Sequence, residues 1–590
     1  MTTGTRPRVW APAAQRSVDL VTQDETLPMD RRAGDWWESE HELAPGTRYR
    51  FALDDGDPHA DPRALRLPDG PDGPSEVVDL GAYTWGDAEW RGVQLSGAVL
   101  YELHVGTFTR TGTFDAAIDR LDDLARLGVD IVEVMPVASF PGRHGWGYDG
   151  VGLYAVHEPY GGPAGFQRFV DACHTRGLGV CLDVVYNHLG PSGNHLGTFG
   201  PYFTDKYQTP WGAAVNLDDA GSDEVRAYVI DNALMWLRDF HVDALRLDAV
   251  HALRDDRAVH LLEELSTDVD ALSVRVGRPL WLVAESDRND PRTTTPRAAG
   301  GLGIHAQWAD DVHHGLHVLL TGEKRGYYAD FAEPGALAKV LTGVFLHTGT
   351  WSSFRGRTHG RLLDRVRMPG WRFVASLQTH DQVGNRAVGD RLSASLDPGT
   401  LAGGAALLLT AATTPMLFMG EEWAASTPWA YFTDHTDPVL AAAVRQGRRD
   451  EFAAHGWDGD DVPDPQDVST FEASRLDWDE RREAPHARVL AWYRDLIALR
   501  RARADLRDPR LDRVVVRHDE AGRTVVVERG AHRVAVNLAA DPALLDLDTD
   551  EALSILLAWE ADGTVVDGTG VRLPGRSAAV LGPVRAPTSG

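Results

Sequence analysis

The sequence predicts a (β/α)₈ barrel flanked by an N-terminal β-sandwich and a C-terminal antiparallel β domain. Three observations predict it. Eight short apolar runs alternate with helix-period segments between about residues 97 and 504, the rhythm of a parallel barrel. Hairpin patterns precede and follow that stretch. Ionisable side chains gather at the carboxyl ends of the apolar runs, where a barrel presents its reactive groups.

Residues 1–82 read as the sandwich. Val9-Trp-Ala-Pro12, Ser17-Val-Asp-Leu-Val21 and Arg48-Tyr-Arg-Phe-Ala-Leu53 are short alternating runs, and Asp54 to Ser75 is rich in Asp, Pro and Gly, which marks a loop. The first barrel strand is Val99–Val105. Thr113 is placed to cap a helix with Phe114, Ile118, Leu121 and Leu124 on one face, which Gly128 ends. Ile131–Met135 is strand two. A helix carrying Phe166, Phe169, Val170 and Cys173 leads to strand three, Gly179–Val185. An insertion over about 189–222 precedes a helix bearing Val225, Val229, Ala233 and Leu237.

Strand four, Asp243-Ala-Leu-Arg-Leu-Asp-Ala-Val-His251, ends in Arg246, Asp248 and His251. Alternate strand residues share a face, so Arg246 and Asp248 point the same way. Either they form a structural ion pair or they serve chemistry. Pro279–Glu285 is strand five and Gly303–Trp308 strand six. A long insertion (about 309–371) follows, then Phe373–Gln378 as strand seven and Thr414–Met419 as strand eight. Val489, Tyr493, Leu496 and Ile497 mark a closing helix. Over 505–590, Val514–Val516 and Val525–Val527 flank an Asp-Glu-Ala-Gly turn in the C-terminal β domain.

Composition narrows the function classes. The chain has 590 residues, 43% of them hydrophobic, with 18 Trp, enough for a large core with aromatic surface to spare. A formal charge of −28 disfavours nucleic acid and anionic membranes as partners. Cys173 and Cys181 make no disulfide framework and are expected as buried free thiols. The N-terminal stretch lacks the apolar core of a signal peptide and no run is long enough to span a bilayer, so a cytoplasmic location is expected.

Three carboxylates, Asp248, Glu285 and Asp381, end three different strands. Strand three adds Asp183, Asn187 and His188, and Gly145-Trp-Gly-Tyr-Asp149 offers an aromatic face. Converging carboxylates suit glycoside hydrolysis, in which one carboxyl protonates the leaving oxygen and another attacks or activates water. Rings beside them suit the C–H faces of a sugar.

Asp183-Val-Val-Tyr-Asn-His188, Arg246-Leu-Asp-Ala-Val-His251, Ala284-Glu-Ser-Asp287 and Thr379-His-Asp-Gln382 resemble, in order and approximate spacing, the four signature regions of the α-amylase family of retaining glycosidases. Val9–Pro12 and Tyr49–Phe51 resemble the sandwich of glycogen branching and debranching enzymes. Gln307–His314, Leu320–Tyr328, Phe418–Trp423, Gly447–Phe452 and Ala284–Pro291 are similar to the branch of the family that cleaves the α-1,4 bond next to a terminal trehalose unit.

That resemblance implies a maltooligosyl trehalose substrate, trehalose as product and a maltooligosyl trehalose synthase as pathway partner. It implies Asp248 as nucleophile, Glu285 as general acid/base and Asp381 as stabiliser of the distorted sugar. His188 and His380 are then hydrogen-bonding partners of the sugar, with Tyr148 stacked beneath it and Asp183 orienting Arg246. Arg246, His251, Asp311, His314, His317, Gln382 and Asn385 complete the implied substrate-binding set. Retention predicts a nucleophile-to-acid separation of about 5–5.5 Å.

No cofactor and no metal are expected. Asp183 and Asn187 correspond to positions that help hold calcium in some α-amylases, but too few oxygen ligands accompany them. His313 and His317 are spaced i, i+4, yet His314 stands where a zinc protease has Glu. Trp211, Trp351, Phe354 and Trp423 are candidates for the cleft wall or for ordinary core packing. A glycogen branching or debranching enzyme and a catalytically silent α-glucan-binding protein are the competing readings.

Overall fold

The computed structural model describes residues 4–453 and 461–583. Residues 584–590, the end of the expected C-terminal domain, lie outside the described residues. Eight parallel strands close into a barrel: β1 (Leu100–Leu103), β2 (Ile131–Val134), β3 (Gly179–Val184), β4 (Ala244–Leu247), β5 (Trp281–Ala284), β6 (Ala306–Trp308), β7 (Phe373–Ser376) and β8 (Thr414–Phe418). Each pairs with its neighbour in sequence, and β8 returns to β1. Helices cover the outer face, so both faces are buried and the strands read as continuous apolar runs.

The inward face changes character along the barrel axis. At its amino end Leu100, Ile131, Cys181, Ala244, Val283, Ala306, Val374 and Met416 pack into one apolar cluster. Two residues further along, on the same face, stand Glu102, Glu133, Asp183 and Arg246, all buried. The register sets Glu102 beside Glu133 and Asp183 beside Arg246. An apolar plug thus supports an ionisable layer at the carboxyl rim.

Local signals set the helices. The single helix expected between Thr113 and Gly128 is two: Thr113 Oγ1 accepts from Ala116 N to cap Phe114–Ile118, and Gly128 at φ 101° ends Leu121–Leu127. Helices Gly162–His174, Ser222–Asp239, Leu261–Val276, Asp310–Thr321 and Pro398–Leu409 follow β2, β3, β4, β6 and β7, and His486–Ala502 closes the barrel. The alternation breaks after β5. Pro291, Pro296, Gly300, Gly301 and Gly303 replace a helix with the 3₁₀ turns Pro291–Thr293 and Arg297–Ala299, because Pro and Gly interrupt the helical hydrogen-bond ladder.

Three excursions shape the rim. After β2 the hairpin Ala138–Ser139/Gly152–Val156 frames the Gly145–Asp149 loop. After β3 the hairpin Phe203–Thr209/Gly212–Val215 exposes Trp211 at its turn. After β6 come helix Asp310–Thr321, the turn Gly326–Ala332, helix Ala336–Gly343 and the hairpin Thr350–Ser352/Arg357–His359.

The N-terminal unit has a three-stranded and a four-stranded antiparallel sheet, with Val9, Val18, Leu20 and Phe51 buried. The C-terminal unit pairs a five-stranded sheet with a three-stranded one around Val526, Ala535, Leu545, Val571 and Leu581. Its first hairpin pairs Val516 with Val527, and Asp519 Oδ1 accepts from Gly522 N at the expected turn. Cys173 and Cys181 are buried free thiols. Among the described residues no helix is long and apolar enough to cross a membrane.

Candidate active site

Arg246 is the hub of the rim. Its side chain is fully buried, so its charge must be met locally. Nη1 donates to Asp183 at 2.9 and 3.0 Å and to Asp248 Oδ1 at 2.7 Å. Nη2 lies 2.9 Å from Glu285 Oε2, a charge pair without hydrogen-bond alignment. The guanidinium also sits 4.4 Å from the Trp308 ring centroid. One cation therefore joins carboxylates from β3 and from the ends of β4 and β5.

Each carboxylate has a second anchor. Asp248 Oδ2 accepts from Asn187 Nδ2 at 2.6 Å. Glu285 Oε2 accepts from Ala249 N at 2.8 Å, so the ends of β4 and β5 are tied together. Asp381 Oδ1 lies 3.3 Å from Asn385 Nδ2, one helical turn on. Asp381 is the most open of the three, with a side-chain exposure of 37% against 11% for Asp248 and 18% for Glu285.

The histidines and Tyr148 fill the gaps. Tyr148 Oη donates to Asp183 Oδ2 at 2.6 Å and lies 2.7 Å from His380 Nε2. His188 Nδ1 meets Asn187 Oδ1 at 2.6 Å and Nε2 meets the Tyr148 carbonyl at 3.0 Å. Trp211 stacks on His188 at 4.4 Å with rings 6° apart and extends the aromatic floor to the surface. Burial pushes Asp183 up to about 7 against the pull of Arg246, and burial pulls His188 down from the ordinary histidine value.

The remaining expected residues divide by position. Asp311 carries helix-to-loop bonds, accepting from Asn289 Nδ2 at 2.7 Å and Leu346 N at 2.6 Å. His251 is partly exposed, 3.8 Å from Asp287 Oδ1. His317 is buried, meets Glu323 at 2.8 Å and stacks on Tyr328 at 4.3 Å. His314 packs among Tyr327, Tyr328 and Phe331. Gln382 Oε1 lies 3.5 Å from Tyr328 Oη.

Of the aromatic candidates, Trp211, Trp351 and Phe354 are exposed at 49%, 64% and 59%. Trp423 belongs to the core, its Nε1 donating to Glu480 and its ring against Trp478. Among the described residues no group of three or more His, Cys, Asp or Glu is arranged to hold a metal ion.

Sequence reasoning missed Glu102, Glu133 and Asp310. Glu102 accepts from His380 Nδ1 at 2.5 Å and from its backbone N at 3.0 Å. Buried Glu133 has the Cys181 thiol beside it, and burial, reinforced by Glu102, pushes it well above the carboxylate range. Asp310 follows β6; burial and then the charges of Glu285, Asp381 and Asp311 push it up to about 8. The available signal was the position of each acid, inward-facing or just past a strand end.

A closed parallel barrel whose carboxyl rim holds these acids around a buried arginine is the catalytic domain of an α-amylase-type glycoside hydrolase. The family model described as "Alpha amylase, catalytic domain" matches residues 84–199, and a domain of unknown function (DUF3459) matches 509–580. The chain is 54% identical over 581 residues to the malto-oligosyltrehalose trehalohydrolase of Arthrobacter ramosus, covering 97% of this chain and 98% of that one. It is 51% identical to the Mycobacterium tuberculosis protein of the same name, with 97% and 98% covered. A solved structure from Salmonella typhimurium assigned as an alpha amylase superposes with TM-score 0.88 at 38% identity, covering 98% and 97%. The chain belongs to the malto-oligosyltrehalose trehalohydrolase family.

Proposed function

We propose that this protein hydrolyses the α-1,4 bond next to the terminal trehalose of maltooligosyl trehalose and releases trehalose with retention at the cleaved carbon. The observation that carries the chemistry is Arg246 bonded to Asp248 and paired with Glu285, with each carboxylate anchored a second time. The names of full-length relatives at more than half identity favour trehalose release over glycogen branching or debranching.

In this reading Glu285 gives its proton to the glycosidic oxygen while an oxygen of Asp248 attacks the anomeric carbon. The C–O bond breaks, trehalose leaves, and the glucan is held as an ester of Asp248. Glu285 then takes a proton from water, which attacks the same carbon and frees Asp248. Arg246 and Asn187 supply preorganised positive and polar groups at the nucleophile. Asp381 faces the positive charge that develops on the sugar, and Tyr148, His188 and His380 hold its hydroxyls and face. Asp310, raised to about 8 by burial and by the charges of Glu285 and Asp381, stands mostly protonated near neutral pH and adds a hydrogen-bond donor close to the reacting acids.

Selection of trehalose falls to the insertion after β6. Its Tyr327 and Phe354 rings meet edge to face at 5.9 Å beside the rim, and Arg355 fastens the hairpin to Asp287 beyond β5 at 2.8 Å. A maltooligosyl trehalose synthase is the upstream partner in this scheme. We place both in the cytoplasm, where Cys173 and Cys181 stay reduced.

The test is incubation with maltooligosyl trehalose and, separately, plain maltooligosaccharide, with products resolved. Trehalose from the first and little cleavage of the second is expected. Equal cleavage of both, or transfer to α-1,6 positions, sinks the proposal.

A further inference from the structure

His380 makes more hydrogen bonds than a neutral imidazole can donate. Its Nδ1 lies 2.5 Å from Glu102 Oε1 and its Nε2 lies 2.7 Å from Tyr148 Oη. A carboxylate only accepts, so Nδ1 carries a proton. Arg246 Nη1 donates to both oxygens of Asp183 and so favours its carboxylate form; Tyr148 then spends its own proton on Asp183 at 2.6 Å, and Nε2 carries one as well. With both ring nitrogens donating, the ring is an imidazolium.

We infer that Glu102, near the end of β1, is a positioning residue for the reaction: it clamps His380 through ring and main chain and keeps it cationic, so that Nε2–H is presented between Tyr148 and Asp381. Nε2 lies 3.5 Å from Asp381 Oδ2, beside the expected sugar. The inference rests on the glycosidase reading above. Glu102 itself is 1% exposed and touches no substrate. Its action runs through His380.

The groups facing His380 support this. β1 contributes Glu102, the residue just past it His104, β2 Glu133, β3 Asp183, β4 Arg246, the loop after β2 Tyr148, and its own helix Asp381. The rings of Trp146 and Trp308 close two sides. Burial holds His104 down to about 3, and burial keeps Glu133 protonated, so neither carries charge here. Burial opposes a charge on His380 too, but Asp381 and Glu102 overcome it and hold the ring up to about 9. Arg246 pulls the other way.

Glu102→Gln separates this role from mere packing, because the amide keeps the shape and one acceptor while losing the charge. Two readouts are needed: the pH profile of kcat/KM on maltooligosyl trehalose, and the ¹⁵N spectrum of histidine-labelled protein without substrate, with His380 assigned by its loss in His380→Gln. In the wild-type protein both His380 ring nitrogens are expected to be protonated at neutral pH. In Glu102→Gln the ring's titration should move toward acid by about tenfold or more in proton activity. The alkaline limb of kcat/KM should move with it, and Glu102→Asp should restore most of that shift.

A singly protonated His380 in the wild-type protein at neutral pH overturns the inference, and that spectrum decides even if the Gln variant fails to fold. An alkaline limb unmoved in Glu102→Gln overturns it as well, whatever the rate. Absence of trehalose among the products refutes the substrate proposal instead, since the ring's protonation is read without substrate.

Discussion

Arg246 shows what a single buried residue fixes at this site. A guanidinium presents a planar fork of donors that one ammonium cannot copy, and here it serves Asp183, Asp248 and Glu285 together. Removing one partner of such a buried pair costs about 3–5 kcal/mol, so the arrangement constrains stability as well as chemistry. Asp248 tests the chemistry more directly, because Asn keeps its shape and its bond from Arg246. Asp248→Asn should lower kcat per folded molecule by about 10³-fold or more, while the lost charge opposite Arg246 and the lost acceptor for Asn187 also lower the thermal midpoint. Undiminished turnover would remove Asp248 from the role of nucleophile.

At the scale of elements, strands deliver the acids and loops deliver the rings. The period of two lets β1 to β4 carry apolar residues at the bottom and Glu102, Glu133, Asp183 and Arg246 above them on one face. Tyr148 instead depends on its loop. The preceding Gly147 has φ 100°, and a Cβ there would run into the Pro136 carbonyl oxygen. Gly147→Ala should therefore cost about 1–2 kcal/mol or more. By displacing Tyr148 from Asp183 and His380 it should also lower kcat/KM on maltooligosyl trehalose. Calorimetry and initial rates check both, and a fully active variant of unchanged stability would show that the loop tolerates the shift.

Across the whole molecule, charge is organised at both ends of the barrel. Beneath the amino end His174 stands between Asp87 at 2.8 Å and Asp243 at 3.0 Å, and Asp243 also accepts from Arg278 and Trp90. Burial penalises the His174 cation, but the two carboxylates prevail and raise it above the ordinary histidine value. A raised folded-state value means that its stabilisation is complete below about pH 6.5 and is lost as pH rises through the folded value. The thermal midpoint deficit of His174→Gln should thus be larger near pH 6 than near pH 9. A deficit independent of pH across that window would contradict the charged pair.

The sequence by itself determined the barrel, the order of its strands and the three rim carboxylates. Strand runs such as Val180–Val184 and Val242–Leu247 are apolar because both faces are buried, and their period leaves acids at predictable ends. It also marked Thr113 and Gly128 as helix limits, since capping is local chemistry. Tertiary structure decided the rest. Glu102 meets His380 from 278 residues away, and no local pattern records that distance. Trp211 and Trp423 look alike as sequence, yet one stacks on His188 at the rim and the other packs against Trp478, because burial depends on what folds over each ring. The same holds for Asp310 and Asp311. One faces the rim acids and the other pins the insertion to Asn289 and Leu346. Neighbours in sequence on one helix point some 100° apart, and only the packed barrel tells which direction is the site.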